Sequence, residues 1–455
     1  MKKTLQNSSV NFILLGVVII LLFAGCTSKT GFQKSDVGYV YNTKDLAPRP
    51  EFVVHHIDKD HTRIFYRINS ADLLYMREPE ETVYKANFTI GYSLAPSFEI
   101  TTQLDSGMVS IKDQATTPPV KAITGYFDLN TSLYTEDLRY VLKLTMTDKN
   151  RQVEFENFIR IDKSSDLVGD YFLMTDTSGN PIYKNHVPTN VPFLLKHSTK
   201  PVAQYFVSYY RRDFPVALPP YSSGGEESFE LEPDTTFMVN AGESMMFTQN
   251  GFYHFRTDTT QWLGYTVYSF YNQFPFVAKR THLGPPLRYL TTRREYDDLS
   301  AAFNSPAELK KLVDDFWLNR TGSVERSKIL LEAYYNRVQE ANIFFSSYLE
   351  GWKTDRGIIY VIYGPPNRVY RSSEGENWIY GDENSSLSYY FVFAKVNNPF
   401  TDNDYAMERL NSYRYGWGQA IEAWRNGHIY NSKDIKREQD EQQQGQYRQG
   451  PPYWY

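Results

Sequence analysis

The sequence predicts a multidomain protein, with two all-β, immunoglobulin-like sandwiches followed by an α+β domain. Three observations predict it. From residue 51 to about 161, apolar side chains recur at a period of two, as in Tyr140, Leu142, Leu144 and Met146. Aromatic residues are abundant, with 37 Tyr and 29 Phe, a bias that suits pleated, half-buried β surface. Beyond residue 288 the period changes to the spacing of amphipathic helices, with capping residues ahead of the apolar stripes.

The chain begins with a basic pair, Lys2 and Lys3, followed by the apolar run Phe12 to Gly25. At about 14 residues this run is shorter than the roughly 20 needed to cross a bilayer core. It closes on Leu22-Phe23-Ala24-Gly25-Cys26, and Cys26 is the only cysteine. These residues resemble a bacterial lipobox, with Phe23 where that motif more often has Leu. The resemblance implies a lipoprotein signal peptide over residues 1–25 and diacylglyceryl and acyl chains on Cys26 that anchor the mature protein to a membrane. Thr27 follows the cysteine, and Thr27-Ser28-Lys29-Thr30 carries no acidic cluster. By analogy with lipoprotein sorting, the expected location is the periplasmic face of the outer membrane. Residues 26–50 read as a tether ending in Pro48-Arg49-Pro50.

Composition narrows the function classes. The formal charge is −5, and loss of Lys2 and Lys3 takes it to −7. Nucleic-acid binding, which normally needs a basic stripe, is not expected. With Cys26 acylated no thiol remains, so neither disulfides nor thiolate metal sites are expected. His55, His56 and His61 form the only histidine cluster. His55 and His56 are adjacent in a predicted strand and so face opposite ways, which predicts surface or partly buried histidines and no metal site.

The first sandwich is assigned to residues 51–165. Phe88, Ile90 and Tyr92 alternate, and Asp148-Lys149-Asn150 turns the chain before Val153 and Phe155 resume the pattern, which predicts a hairpin. Asp162-Lys163-Ser164-Ser165-Asp166 is a polar break. A second β-rich domain over 166–288 has predicted strands at Phe206–Tyr210, Phe252–Phe255 and around Leu263, Tyr265 and Val267. Turn-rich stretches such as Pro219-Pro220-Tyr221-Ser222-Ser223-Gly224-Gly225 separate them.

The α+β domain is assigned to 289–430. Ser305-Pro306-Ala307-Glu308 predicts a helix start with Pro306 in the first turn and Glu308 completing a capping box with Ser305, and Leu309, Leu312, Val313 and Phe316 on one face. A longer helix is predicted from Val324 to Glu350, striped by Leu330, Tyr334, Val338, Ala341, Phe345 and Tyr348. It runs into Gly351-Trp352-Lys353-Thr354-Asp355-Arg356-Gly357, then Ile358 to Tyr363, Gly364 and Pro365. Gly351 is expected as a left-handed residue ending the helix, and Trp352 as a ring folded over its last turn. Thr354 and Asp355 are expected to bond backbone amides, Arg356 to pair with a carboxylate, and Gly357 to allow a second change of direction before a buried strand from Ile358. On this reading the motif is a helix-to-strand corner. The functional alternative is a polar pocket in which Asp355, Arg356 and Glu376 converge between Trp352 and Trp378.

The heptapeptide, the Gly364-Pro365 turn, Asn377-Trp378-Ile379-Tyr380 and the strand Tyr389 to Phe393 together resemble the GWxTD domain, a bacterial, Bacteroidota-like envelope family. The resemblance covers residues 290 to 400 closely. It implies a lipoprotein or secreted envelope protein with no established catalytic activity. No Gly-x-Ser-x-Gly elbow, phosphate-binding glycine loop or His-Glu-x-x-His stands in the chain. No catalytic residue, metal or cofactor is therefore assigned.

Trp417, Ile421 and Trp424 predict a last amphipathic helix, stopped by Asn426-Gly427. Residues 431–455 read as a disordered tail with an aromatic tip, Pro451-Pro452-Tyr453-Trp454-Tyr455, which resembles a docking peptide as readily as a frayed terminus. The function expected is a periplasmic scaffold or accessory subunit for an envelope assembly, export or transport complex, with an envelope protein as partner. The alternatives are an envelope hydrolase acting on peptide, peptidoglycan or glycan through Asp355 and Glu376, and a glycan-binding module using exposed Tyr and Trp.

Overall fold

The computed structural model describes residues 36–435 and 437, apart from 44–47, 101–102, 131–137, 201–202, 212–213, 223–231 and 384–387. Cys26 and the aromatic tip lie outside the described residues.

Seven strands build the first β unit: β1 (Glu51–His56), β2 (His61–Asn69), β3 (Tyr84–Ala95), β4 (Asp105–Ala115), β5 (Ala122–Asn130), β6 (Arg139–Asp148) and β7 (Val153–Asp162). They form two antiparallel sheets, ordered β1-β2-β5 and β4-β3-β6-β7. The alternation read from the sequence becomes a shared core. Ile64, Ile68 and Leu129 of one sheet pack with Phe88, Ile90, Leu142, Leu144 and Met146 of the other. The hairpin at 148–152 is present, with Asp148 opposite Val153 and Asp148 Oδ1 accepting the amides of Asn150 and Arg151.

The second β unit has a four-stranded sheet ordered β11-β10-β12-β13, made of β10 (Gln204–Tyr210), β11 (Thr235–Asn240), β12 (Gly251–Arg256) and β13 (Tyr265–Ser269). Its core is closed by a two-stranded ribbon, β8 (Phe172–Thr175) with β9 (Leu194–His197), through Phe172, Met174 and Leu195.

Beyond the second β unit the chain is mainly helical: α1 (Arg293–Ala301), α2 (Pro306–Thr321), α3 (Val324–Phe345), α4 (Asp355–Tyr363) and α5 (Tyr413–Arg425). These helices pack on an antiparallel sheet of β14 (Arg368–Arg371), β15 (Gly375–Tyr380), β16 (Tyr389–Lys395) and β17 (Tyr405–Met407). Trp417, Ile421 and Trp424 all point into this core, as the spacing predicted, and Gly427 adopts φ +77° after the helix stop. Among the described residues no helix is long and apolar enough to cross a membrane.

Five local expectations are corrected. Ile358–Tyr363 is the body of helix α4, not a strand. Every residue of that run is buried, so no polar face marked its period. The predicted capping box at Ser305 is absent, although Pro306 does open α2; the capping box forms at Thr292 and Glu295 ahead of α1. Helix α3 stops at Phe345, because Ser346 is extended (φ −64°, ψ 136°) and a loop separates it from the motif. His55 and His56 are both buried, at 8% and 0% exposure, because the second β unit covers β1.

The fifth correction concerns the tether. Residues 36–41 are docked on the α+β domain: Val37 donates its amide to the Val369 carbonyl, and Val37 and Tyr41 are buried in that domain's core. At the other end, residues 432–435 form a helical turn that buries Ile435 beside Tyr430.

Candidate functional site

Gly351 lies in a single 3-10 turn, Gly351–Lys353, and its φ is not positive. A left-handed cap is therefore not its role. The turn is pressed against α3, where a Cβ on Gly351 would lie 1.8 Å from the Ala341 carbonyl oxygen. The contact is held by the Gly351 amide donating to Ser346 Oγ (2.9 Å) and the Trp352 amide donating to Asn342 Oδ1 (3.3 Å). Trp352 is buried and meets Tyr289 edge to face, with ring centroids 6.4 Å apart.

Thr354 is the N-cap of α4, its Oγ1 accepting the Gly357 amide at 3.1 Å. Gly357 stays within the helix and does not turn the chain. It is glycine because a Cβ there would lie 1.8 Å from the Gly351 carbonyl oxygen. Asp355 occupies the first turn, where a carboxylate complements the helix dipole. It accepts the Met407 amide (2.7 Å) and pairs with Arg409 (2.5 Å), fastening α4 to β17.

Arg356 points the other way, into the core. Its guanidinium stacks 3.8 Å from the Tyr405 ring centre and bonds the Asn403 carbonyl at 3.1 Å. It also lies 3.4 Å from Glu376, which is 1% exposed. Glu376 accepts from Tyr41 Oη (2.9 Å), Arg371 Nε (2.9 Å) and Trp378 Nε1 (2.9 Å). Burial on its own would raise this carboxyl; Arg371 and Arg356, helped by the Trp378 and Tyr41 hydrogen bonds, instead hold it down at about 2. Arg356, Glu376 and Trp378 therefore converge as the sequence suggested, whereas Asp355 and Trp352 belong to separate contacts. A carboxylate that stays ionised at neutral pH with both oxygens engaged has no proton to give and no free lone pair aimed at a ligand.

The α4 C-terminus is closed with equal economy. Gly364 adopts φ +81°, and a Cβ on it would lie 2.8 Å from an Arg337 guanidinium nitrogen. Arg337, also buried, donates to the Val361 (3.2 Å), Ile362 (2.9 Å) and Tyr430 (2.7 Å) carbonyls, satisfying groups a helix end leaves open. Pro365 follows where the helix must stop.

The sequence missed Tyr41, Arg337 and Arg371. Nothing in their spacing signals a role, since each reaches the motif only through the tertiary fold.

Residues 251–426 match the GWxTD domain family, so this part of the chain is a GWxTD domain, one that takes in β12 and β13 as well as the helices. No curated protein matches the chain. Among solved structures, similarities include Bacteroides uniformis beta-glucuronidase at 10% identity and TM-score 0.16, covering 34% of this chain and 15% of that one. A calcium-binding mutant of Bacteroides uniformis beta-glucuronidase 2 is similar at 10% identity and TM-score 0.18, over 38% and 17% of the two chains. The matched part spans about one sixth of those enzymes, and likeness at this level identifies neither a shared fold nor a shared activity.

Proposed function

We propose that this GWxTD-domain protein is a non-enzymatic scaffold or accessory subunit of an envelope assembly, export or transport complex. It is anchored through lipid on Cys26 at the periplasmic face of the outer membrane. One observation carries the non-enzymatic part: the charged residues of the motif are spent on internal contacts. Asp355 fastens α4 to β17, while Arg356 and Glu376 neutralise one another beneath Tyr41 and Trp378. The lipid anchor rests on the N-terminal pattern alone.

The β units suit a spacer or display role. For the first unit the finer reading is an immunoglobulin-like sandwich. Lettered A to G in chain order, its sheets run A-B-E and D-C-F-G. That differs from the A-B-E-D and C-F-G arrangement of immunoglobulin constant domains only in the placement of strand D. The second unit is read more loosely as sandwich-like.

The test is chemical cross-linking in intact cells expressing the wild type or Cys26→Ser, followed by membrane fractionation. The reading expects a stoichiometric envelope-protein partner with the wild type, and loss of both membrane association and partner with the variant. Turnover of peptide, peptidoglycan or glycan that Asp355→Asn abolishes at unchanged melting temperature would replace the scaffold with a hydrolase.

A further inference from the structure

Strand β4 is an open edge of the first β unit, since the sheet order β4-β3-β6-β7 gives it a neighbour on one side only. The direction of its backbone groups follows from β3. Lys149 donates its amide to the Asn87 carbonyl, so the odd-numbered residues of β3 bond toward β6 and the even-numbered ones toward β4. The even residues Phe88, Ile90 and Tyr92 stand opposite Ile111, Val109 and Gly107. In β4 it is therefore Met108, Ser110 and Lys112 whose amides and carbonyls point away from the sheet, and these amides meet no acceptor among the described residues.

Edge strands are normally guarded by a proline, a bulge or an inward charge. Strand β4 keeps a one-to-one register with β3 from Asp105 to Ala115 and contains no proline. Its inward carboxylate, Asp113, is already held within the unit by Tyr75 Oη (2.5 Å) and Lys121 Nζ (2.7 Å). On the same inner side Val109 and Ile111 are only partly buried at the rim of the core, and on the outer side Met108 is 67% exposed. The strand thus offers unpaired backbone together with an apolar rim left half covered.

We infer that β4 pairs antiparallel with β4 of a second copy of this chain, about a two-fold axis at Ser110. A two-fold contact needs a self-complementary patch, and the residues of β4 supply one in a single register. With the axis at Ser110 the whole of Asp105–Ala115 overlaps, Val109 lies opposite Ile111 twice, Lys112 lies opposite Met108, and no like charges meet. Moving the axis to Val109 sets Asp105 against Asp113 at both ends, and moving it to Ile111 sets Asp113 against Val109. Apolar pairs directly opposite favour pairing and like charges oppose it, so the Ser110 register is the one selected. In that register Met108, Ser110 and Lys112 form the hydrogen-bonded pairs, which uses the outward amides, while Val109 and Ile111 of the two copies close the open rim of both cores. The inference is independent of the scaffold reading, since it concerns a surface remote from the motif and requires neither a lipid nor a foreign partner.

The test uses the full-length chain in detergent with Cys26→Ser, so that an introduced thiol is the only one. Sedimentation equilibrium at about 50 μM gives a dimer. Adding Ser110→Cys yields a covalent dimer on oxidation, because hydrogen-bonded partners have Cα atoms about 5.5 Å apart, within disulfide range. Ser106→Cys does not, because the two copies of that residue lie about 27 Å apart in this register. Ser110→Glu and Ser110→Lys each weaken association about fivefold or more at unchanged melting temperature, since the side chain is exposed, and mixing the two variants restores the dimer. A monomer at about 50 μM, equal cross-linking through Ser106→Cys and Ser110→Cys, or undiminished association of either charged variant alone overturns the pairing.

Discussion

Gly357 sits so close to Gly351 that a Cβ on the first would lie 1.8 Å from the carbonyl oxygen of the second. Two glycines six residues apart thus let a 3-10 turn and the first turn of α4 share space that side chains would fill. Gly357→Ala should therefore cost about 3 kcal/mol or more, a melting shift of about 10 °C for a domain of this size. Gly322→Ala is the control, since that glycine has φ +64° and nothing within 4 Å, so only about 1 kcal/mol is expected. Equal melting of the two variants would remove the close-packing account.

Glu376→Gln leaves Arg356 and Arg371 without their carboxylate and should destabilise the domain by about 3–5 kcal/mol. The same pair predicts a pH dependence. The carboxyl is held at about 2 in the folded protein against an ordinary 4.5, so its stabilisation is full above pH 4.5 and is lost as pH falls toward 2. That window corresponds to about 3 kcal/mol. Denaturant midpoints measured from pH 5 to pH 2 should drop for the wild type and drop less for the variant.

His254 predicts a slope in a different window. It is fully buried, bonded to Thr266 Oγ1 (2.9 Å) and the Trp262 carbonyl (2.8 Å), and burial lowers it to about 4, with Arg256 adding to the effect. The unfolded chain takes up a proton near pH 6.5 that the folded one refuses. Stability is therefore lost as pH falls from about 6.5 to 4, by about 3 kcal/mol. His254→Gln should make this part of the curve shallower without flattening it, since burial also lowers His55 and His186 to about 4 and His56 to about 3. An unchanged slope between about pH 6.5 and 4 would show that His254 does not contribute.

Arg337→Met would take this donor from the Val361 and Tyr430 carbonyls and leave the Ile362 carbonyl to Trp424 Nε1 (3.0 Å), and should cost about 3 kcal/mol. Arg337→Lys should restore less than half of that, since one ammonium cannot replace a planar fork reaching three acceptors. Full recovery by lysine in urea titrations would mean that charge alone, not the fork, holds the end of α4.

Strand β6 was legible because Tyr140, Leu142, Leu144 and Met146 alternate with less buried neighbours. Helix α5 was legible for the same reason at a different period. Helix α4 was not, because Ile358–Tyr363 is enclosed on every side and leaves no polar stripe to count. Its identity lay in Thr354 and Asp355, whose fitness to cap was visible but was assigned to a corner. The motif's glycines were recognised as special for the wrong reason: Gly351 and Gly357 serve proximity, and among the motif's glycines only Gly364 uses a positive φ. Tyr41 and Arg337 were illegible, since their partners lie hundreds and tens of residues away.

The docking of Asp36–Tyr41 onto β14 and β15 changes the mechanics of an anchored chain. Between Cys26 and Asp36 lie only ten peptide steps, which span at most about 36 Å. On the lipidated reading, the α+β domain is then the one moored beside the bilayer, although two β units precede it in sequence. Tension on the mooring would be borne first by Asp36, whose Oδ1 accepts the Val369 amide, then by the Val37–Val369 hydrogen bond and the buried Tyr41–Glu376 contact, and the β units would hang off the line of force as a side arm.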